Sequence, residues 1–170
     1  MEELIIEAKN GNKESFTNLM LDLKVELYKI ARIRLSNNED IEDAIQETML
    51  ETFKNIYKLK DTSYFKKWII TILINKCNKI YRKRKKYNIS FEGEEFENYL
   101  KSNDNLDSNL NFYDILKDLN YNERIILSLH YMEDYTTKDI SKLLKVSENT
   151  VKTRLRRAKI KLKNKYVKEV

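Results

Sequence analysis

The sequence predicts an all-α chain of two small helical domains, an N-terminal helical bundle and a C-terminal helix-turn-helix domain, joined by a polar linker. Three observations predict it. The 170 residues contain no proline and only two glycines, Gly11 and Gly93, so few backbone breakers interrupt long Leu/Ile/Lys/Glu-rich runs. Apolar residues recur at helical spacing almost continuously over residues 4–86, and again from Phe112 onward. Between them, residues 88–110 are rich in Asn, Ser, Asp and Glu and are too polar to build a core, although Phe91, Phe96, Tyr99 and Leu100 offer apolar groups that can dock on a surface. The expected division is a first domain over 1–87, an acidic flexible linker over 88–111 and a second domain over 112–170.

Within the first domain the periodicity breaks around Asn10-Gly11-Asn12, Ser36-Asn37-Asn38 and Asp61-Thr62-Ser63. Each break offers helix caps: Asn12, then Asn38 or Asp40, then Thr62 or Ser63. About four packed helices follow from this spacing. In the second domain Ile115, Leu116 and Leu119, then Ile125, Ile126 and Leu129, mark helices ahead of the stretch Tyr135 to Leu162. There Thr136 and Asp139 form a capping box, and Ile140, Leu143 and Leu144 give an apolar stripe. Lys145-Val146 form a bend, Ser147 caps the next helix, and Val151 and Leu155 supply its buried face. Asn149, Thr150, Lys152, Thr153, Arg154, Arg156 and Arg157 are left to face outward. That is the layout of a helix-turn-helix whose second helix enters the major groove of DNA; an ordinary helical hairpin with a charged face is the plainer alternative.

The charge pattern sharpens the picture. A net charge of +6 is distributed as −3 over residues 1–60, +8 over 61–86, −6 over 87–120 and +7 over 121–170. Two basic blocks flanking an acidic segment suit two contacts with a polyanion, since each neutralised phosphate releases counterions. The first block ends α-helical spacing (Phe65, Ile69, Leu73, Cys77, Ile80) with RKRKK, residues 82–86, between Tyr81 and Tyr87. Aromatics beside cations suit unstacked nucleic acid, whereas a buried helix ending in cations that complement its dipole explains the same pattern. A third segment, Asp40 to Phe53, places Ile41, Ala44, Ile45, Thr48 and Met49 on one face and Asp43, Gln46, Glu47 and Glu51 on another. Phosphates would repel that acidic face, so it is a protein-docking surface or simply a solvated one.

Other classes are disfavoured. The N-terminus carries acidic residues without a long apolar core, unlike a signal peptide. The longest apolar run, residues 68–74, is far shorter than a membrane span. One cysteine and one histidine make neither a structural zinc site nor an intramolecular disulfide, so no metal or cofactor is expected, and Cys77 and His130 read as structural. No catalytic site is assembled convincingly; Asp40, Glu42, Asp43 and Glu47 are the only dense carboxylates a hydrolase or nuclease could use. The expectation is a cytoplasmic, non-enzymatic protein.

In this order and over nearly the whole chain, the three signals resemble a short bacterial sigma factor of the sigma-70 class, of the extracytoplasmic-function type. DIEDAIQETMLETF resembles the helix by which that family docks on the largest polymerase subunit; the match implies that Asp43, Gln46 and Glu47 contact core RNA polymerase. FKKWIITILINKCNKIYRKRKK is similar to the element that opens the promoter and captures a flipped base of the minus-ten box. That match carries over Trp68 and Asn75, with Arg82, Lys83, Arg84 and Lys85 as its basic end. ERIILSLHYMEDYTTKDISKLLKVSENTVKTRLRRAKIKL resembles the reader of the minus-thirty-five box. The resemblance implies base readout by Glu148, Asn149, Lys152, Thr153 and Arg156 and phosphate contacts by Arg154, Arg157 and Lys159, with Ser147 and Thr150 at the head of the same helix. It implies core RNA polymerase and promoter DNA as partners and an anti-sigma protein as an expected inhibitor. The family often has Gly where this chain has Asp134 and Lys145, Pro ahead of the Glu-Arg pair where it has Asn120-Tyr121-Asn122, and Ala at Ser141. The competing expectation is a stand-alone helix-turn-helix repressor or activator whose N-terminal bundle dimerises.

Overall fold

A computed structural model of the chain describes residues 1–35, 37–86, 116 and 119–166. Among the described residues there are seven α-helices, two 3₁₀ turns and no strand. They are α1 (Glu2–Lys9), α2 (Lys13–Arg34), α3 (Asn38–Asn55), α4 (Phe65–Lys86), α5 (Tyr121–Tyr131), α6 (Thr137–Leu144) and α7 (Glu148–Tyr166). Chain contacts divide the protein into two compact units, Met1–Ser90 and Phe91–Val170. The linker expected over 88–111 lies outside the described residues, as do residues 112–115 and the Lys85 side chain. No described helix is long and apolar enough to cross a membrane.

In the first unit α2 packs against α1, α3 and α4, and α3 lies along α4. The apolar stripes meet in one core: Leu19, Leu23, Leu27 and Ala31 from α2, Ile41 and Ala44 from α3, and Phe65, Ile69, Leu73 and Cys77 from α4. The four-residue spacing of the last set is what a helix needs to keep one face buried along its length. Asn12 caps α2 as expected, its Oδ1 accepting from the backbone N–H of Glu14 at 3.0 Å and of Ser15 at 3.1 Å. Gly11 precedes it at φ 93°, a turn conformation that favours glycine.

Two caps fall one residue before the expected positions. Asn37, not Asn38 or Asp40, caps α3, accepting from Glu39 N–H at 2.7 Å. Asn38 instead takes hydrogen bonds from Arg32 Nη1 at 2.7 Å and Tyr28 Oη at 3.3 Å. Asp61, rather than Thr62 or Ser63, caps a 3₁₀ turn over Thr62–Tyr64 that leads into α4. Side-chain type allowed either position; the tertiary partners of Asn38 decide the first case. Beside this corner Arg32 and Arg34 are buried, and Arg34 donates to Asn78 of α4. Buried guanidinium groups need such partners, because an unpaired buried charge is very costly.

In the second unit α5 and α6 pack on α7, with Leu116, Ile125, Ile126, Leu129, Ile140, Val151, Leu155 and Ala158 as core. Asn120 and Glu123 form a capping box at the head of α5. Lys161 of α7 also donates to Glu123 Oε2 at 2.7 Å, which ties the far end of α7 to α5. His130 is structural here, with Nδ1 at 2.9 Å from the Tyr135 carbonyl.

Candidate nucleic-acid interfaces

The helix-turn-helix is built by local rules. Thr136 Oγ1 accepts from Asp139 N–H at 3.1 Å, and Thr136 N–H donates back to Asp139 Oδ2 at 3.3 Å, closing the expected capping box. α6 ends at Lys145 in the left-handed region, φ 55° and ψ 45°. Val146 N–H then donates to the Ser141 carbonyl at 3.1 Å and Lys145 N–H to that of Lys142 at 3.3 Å. These are the paired bonds of a Schellman motif, and they fix the exit angle of the turn. Ser147 Oγ accepts from Thr150 N–H at 3.1 Å and starts α7.

Along α7 about 100° per residue separates two faces. Val151, Leu155 and Ala158 are buried on one, and Asn149, Lys152, Thr153 and Arg156 are exposed on the other. Arg157 is exposed and Thr150 and Arg154 are half-buried on a flank. Glu148 is engaged within the fold: Oε1 accepts from Thr137 Oγ1 at 2.9 Å and pairs with Lys152 Nζ at 2.8 Å. Hydrogen bonds from Lys152, then from Thr137, hold its carboxyl below the usual range. Glu148 therefore clamps α7 to α6, a structural duty that its position in the sequence did not reveal. Lys159 lies 5.2 Å from the centre of the Tyr131 ring.

In the first unit, the same angular rule puts Trp68, Ile72, Asn75, Lys79, Arg82 and Lys83 on one stripe of α4. Asn75, Lys79, Arg82 and Lys83 are exposed and Trp68 is half-buried beside Phe65, ring centres 6.1 Å apart. Trp68 lines a cavity of about 340 Å³ with Glu51, Asn55, Lys58, Leu59, Lys60 and Ile72. Sequence reasoning missed Lys79, Asn55, Lys58 and Lys60. Lys79 was legible from its spacing to Asn75 and Arg82, but the cavity residues were not, since they come from the end of α3 and the turn after it. Arg84 points the other way. It grips Asp40 of α3 with Nη2–Oδ1 at 2.7 Å and Nε–Oδ2 at 2.5 Å. The basic tract thus divides, with Arg82 and Lys83 outward and Arg84 holding the bundle together.

The acidic helix is likewise two-faced. Asp43, Gln46 and Glu47 are exposed, while Ile41, Ala44, Ile45 and Thr48 are buried. Gln46 borders a groove of about 570 Å³ between α2 and α3, walled by Phe16, Met20, Leu21, Tyr28, Ile45 and Met49. Around it Leu21, Val25, Leu50 and Phe53 remain exposed. The groove is mainly apolar, with Glu42, Gln46 and Lys24 among its lining residues, and an exposed apolar patch of this kind suits contact with a partner. Glu47 and Glu51 also reach α4, where Lys76 Nζ lies 3.4 Å from Glu47 Oε2 and 2.6 Å from Glu51 Oε2. The hydrogen bond to Glu51 foremost holds the Lys76 ammonium above its ordinary range, against partial burial, with Glu47 adding to it.

Comparison with known proteins agrees with this layout. Residues 19–87 match the family described as Sigma-70 region 2, and residues 109–162 match Sigma-70, region 4. The chain is 31% identical over 134 residues to the ECF RNA polymerase sigma factor EcfG of Rhodopseudomonas palustris, covering 76% of this chain and 74% of that protein. It is 26% identical over 153 residues to RNA polymerase sigma factor SigV of Bacillus subtilis, covering 90% and 92%. Among solved structures, CnrH in complex with the cytosolic domain of CnrY has a similar fold, with a TM-score of 0.64 at 20% identity over 99% of this chain and 98% of that one. The sigma factor RpoE bound to the anti-sigma factor NepR from Bartonella quintana also gives 0.64 at 20% identity, over 89% and 96%.

Proposed function

Since this chain belongs to the extracytoplasmic-function type of the sigma-70 family, we infer that it is a sigma factor that binds core RNA polymerase, recognises promoters and directs transcription initiation. The observation that carries this is the pairing, in one chain, of a region 2 match over 19–87 with a region 4 match over 109–162. A stand-alone helix-turn-helix regulator would have no use for the first of these. Its contribution is binding rather than bond chemistry, and work on promoters with core polymerase places it in the cytoplasm.

The first unit, over residues 1–87, docks polymerase through the exposed Asp43, Gln46 and Glu47 of α3 and the α2–α3 groove that Gln46 borders, the two carboxylates meeting basic groups of the partner. Trp68 and its cavity receive a flipped base of the minus-ten box, and Asn75, Lys79, Arg82 and Lys83 track the strand. Extruding a base costs a few kcal/mol, about what one or two stacking contacts return. The second unit, over 112–170, lays α7 in the major groove of the minus-thirty-five box. Asn149, Lys152, Thr153 and Arg156 read base edges; Arg154 and Arg157 hold phosphates, and Ser147 and Thr150 bring the helix N-terminus to the backbone. Glu148 orients Lys152 and the helix, with Arg84 held in the bundle by Asp40. The solved neighbour bound to an anti-sigma factor supports a protein inhibitor as a further partner.

The test is transcription in vitro with purified core enzyme and a promoter library. New start sites that appear only with this chain are expected. A chain that ignores core enzyme yet binds a palindromic operator tightly would make it a stand-alone regulator instead.

A further inference from the structure

Lys76 joins the two helices that carry separate duties. It stands next to Asn75 on α4, at the edge of the proposed DNA-tracking stripe, and its ammonium is shared by Glu47 and Glu51 of α3. Glu51 also borders the Trp68 cavity. One cation between two carboxylates leaves a local charge of −1 beside a strip that has to accept phosphates. The lysine side chain is only 21% exposed, whereas the two carboxylates are 47% and 44% exposed, so a partner reaches the acids more easily than the base. The other described cations on the stripe, Lys79, Arg82, Lys83 and Lys86, are exposed.

We propose that Lys76 is a further promoter-phosphate contact, held in check by Glu47 and Glu51 until polymerase takes up Glu47. This rests on the sigma-factor function argued above. In the free chain the two carboxylates repel the strand and occupy the ammonium. When a basic group of the polymerase takes Glu47, Lys76 keeps only Glu51, the local charge becomes zero, and the ammonium turns one of its remaining N–H donors to a phosphate. Docking on α3 thereby strengthens the grip of α4 on DNA, a coupling that works in both directions.

The local charge gives a ranking that tests the idea. Full-length variants are titrated with a short mixed-sequence single-stranded oligonucleotide across a range of salt, so that binding by the second unit is a constant background. Glu51→Gln brings the site to zero and is expected to bind several-fold tighter than wild type, with a salt slope steeper by about 0.7 for one more phosphate neutralised. Lys76→Met brings it to −2 and binds weakest. The double variant restores −1 and returns to wild-type affinity, and Lys76→Arg does the same. Glu47→Gln strengthens the free chain as Glu51→Gln does, and Lys76→Met loses more affinity relative to wild type when all chains are saturated with core enzyme than it does in the free chain. Equal affinities for all variants, or a double variant as tight as Glu51→Gln alone, overturn the proposal. A Lys76→Met penalty that is no larger in the complex than in the free chain overturns the coupling. If wild-type chain starts no transcripts with core enzyme, the underlying function fails, an outcome the free-chain ranking cannot imitate.

Discussion

Asp134 and Lys145 are the described non-glycine residues with positive φ, at 52° and 55°, and they are the two positions at which the sequence departs from a glycine in the family pattern it resembles. The departure from the family pattern therefore has a physical cost. An L-residue in the left-handed region loses about 1–2 kcal/mol, part of which glycine returns as unfolded-chain entropy. Lys145 is exposed, so Lys145→Gly is expected to stabilise the protein by about 0.5–1 kcal/mol. A thermal or urea midpoint that stays put or falls would rule out strain there. Cys77 makes a second residue-scale prediction. Fully buried, its thiol is pushed up to about 12 by loss of solvation, with the Arg34 charge opposing in part. Between the ordinary thiol value and that one, the unfolded chain releases a proton that the folded chain keeps. Stability is thus unaffected at lower pH and falls as pH rises above about 9, by up to about 1.4 kcal/mol per unit. Urea unfolding of wild type and Cys77→Ala from about pH 8 to about pH 10.5 isolates this from lysine and tyrosine titration. The wild type should lose more stability; parallel curves would show that the thiol ionises as freely folded as unfolded.

At the scale of elements, α7 shows what spacing alone delivers. Its N-cap at Ser147, its buried Val151 and Leu155, and its outward Asn149, Lys152, Thr153 and Arg156 all follow from local chemistry and a 3.6-residue repeat. Arg156 lies on the exposed face, whereas Glu148 and Glu123 are paired with Lys152 and Lys161. Arg156→Ala is expected to cost about 1–3 kcal/mol if it reads a guanine, and to relax preference at one base pair. Binding-site selection with the complex checks it, and an unchanged preference removes Arg156 from base readout. What spacing does not deliver is the partner across a helix interface. The run Arg82 to Lys86 reads as uniformly cationic, yet about 160° of helical rotation from Trp68 turns Arg84 to Asp40. Likewise Glu47 reads as a free carboxylate on α3 until Lys76 is seen beside it, and Asn37 and Asn38 are interchangeable as caps until Arg32 claims the second. Local rules fixed the elements; the committed charges became visible only once the helices were packed.

At the scale of the whole molecule, the alternating charge blocks of −3, +8, −6 and +7 suit the two separate grips on one polyanion that the proposed function calls for. Each grip alone is modest. Joined in one chain bound to polymerase, the second becomes intramolecular, and its contribution depends on whether both boxes can be reached at once. Spacing between the boxes is then as decisive as their sequence. Duplex DNA turns once in about 10–10.5 base pairs, so inserting about five moves one box to the opposite face of the helix. Transcription from such a promoter is expected to fall to background, although both boxes are intact and the DNA carries the same phosphates. Restoring the original spacing with unrelated sequence should restore initiation, because the separation of the two boxes, and not the bases between them, decides whether both are reached at once. Transcripts that survive the half-turn insertion would mean that one box suffices, and that the second unit serves something other than promoter placement.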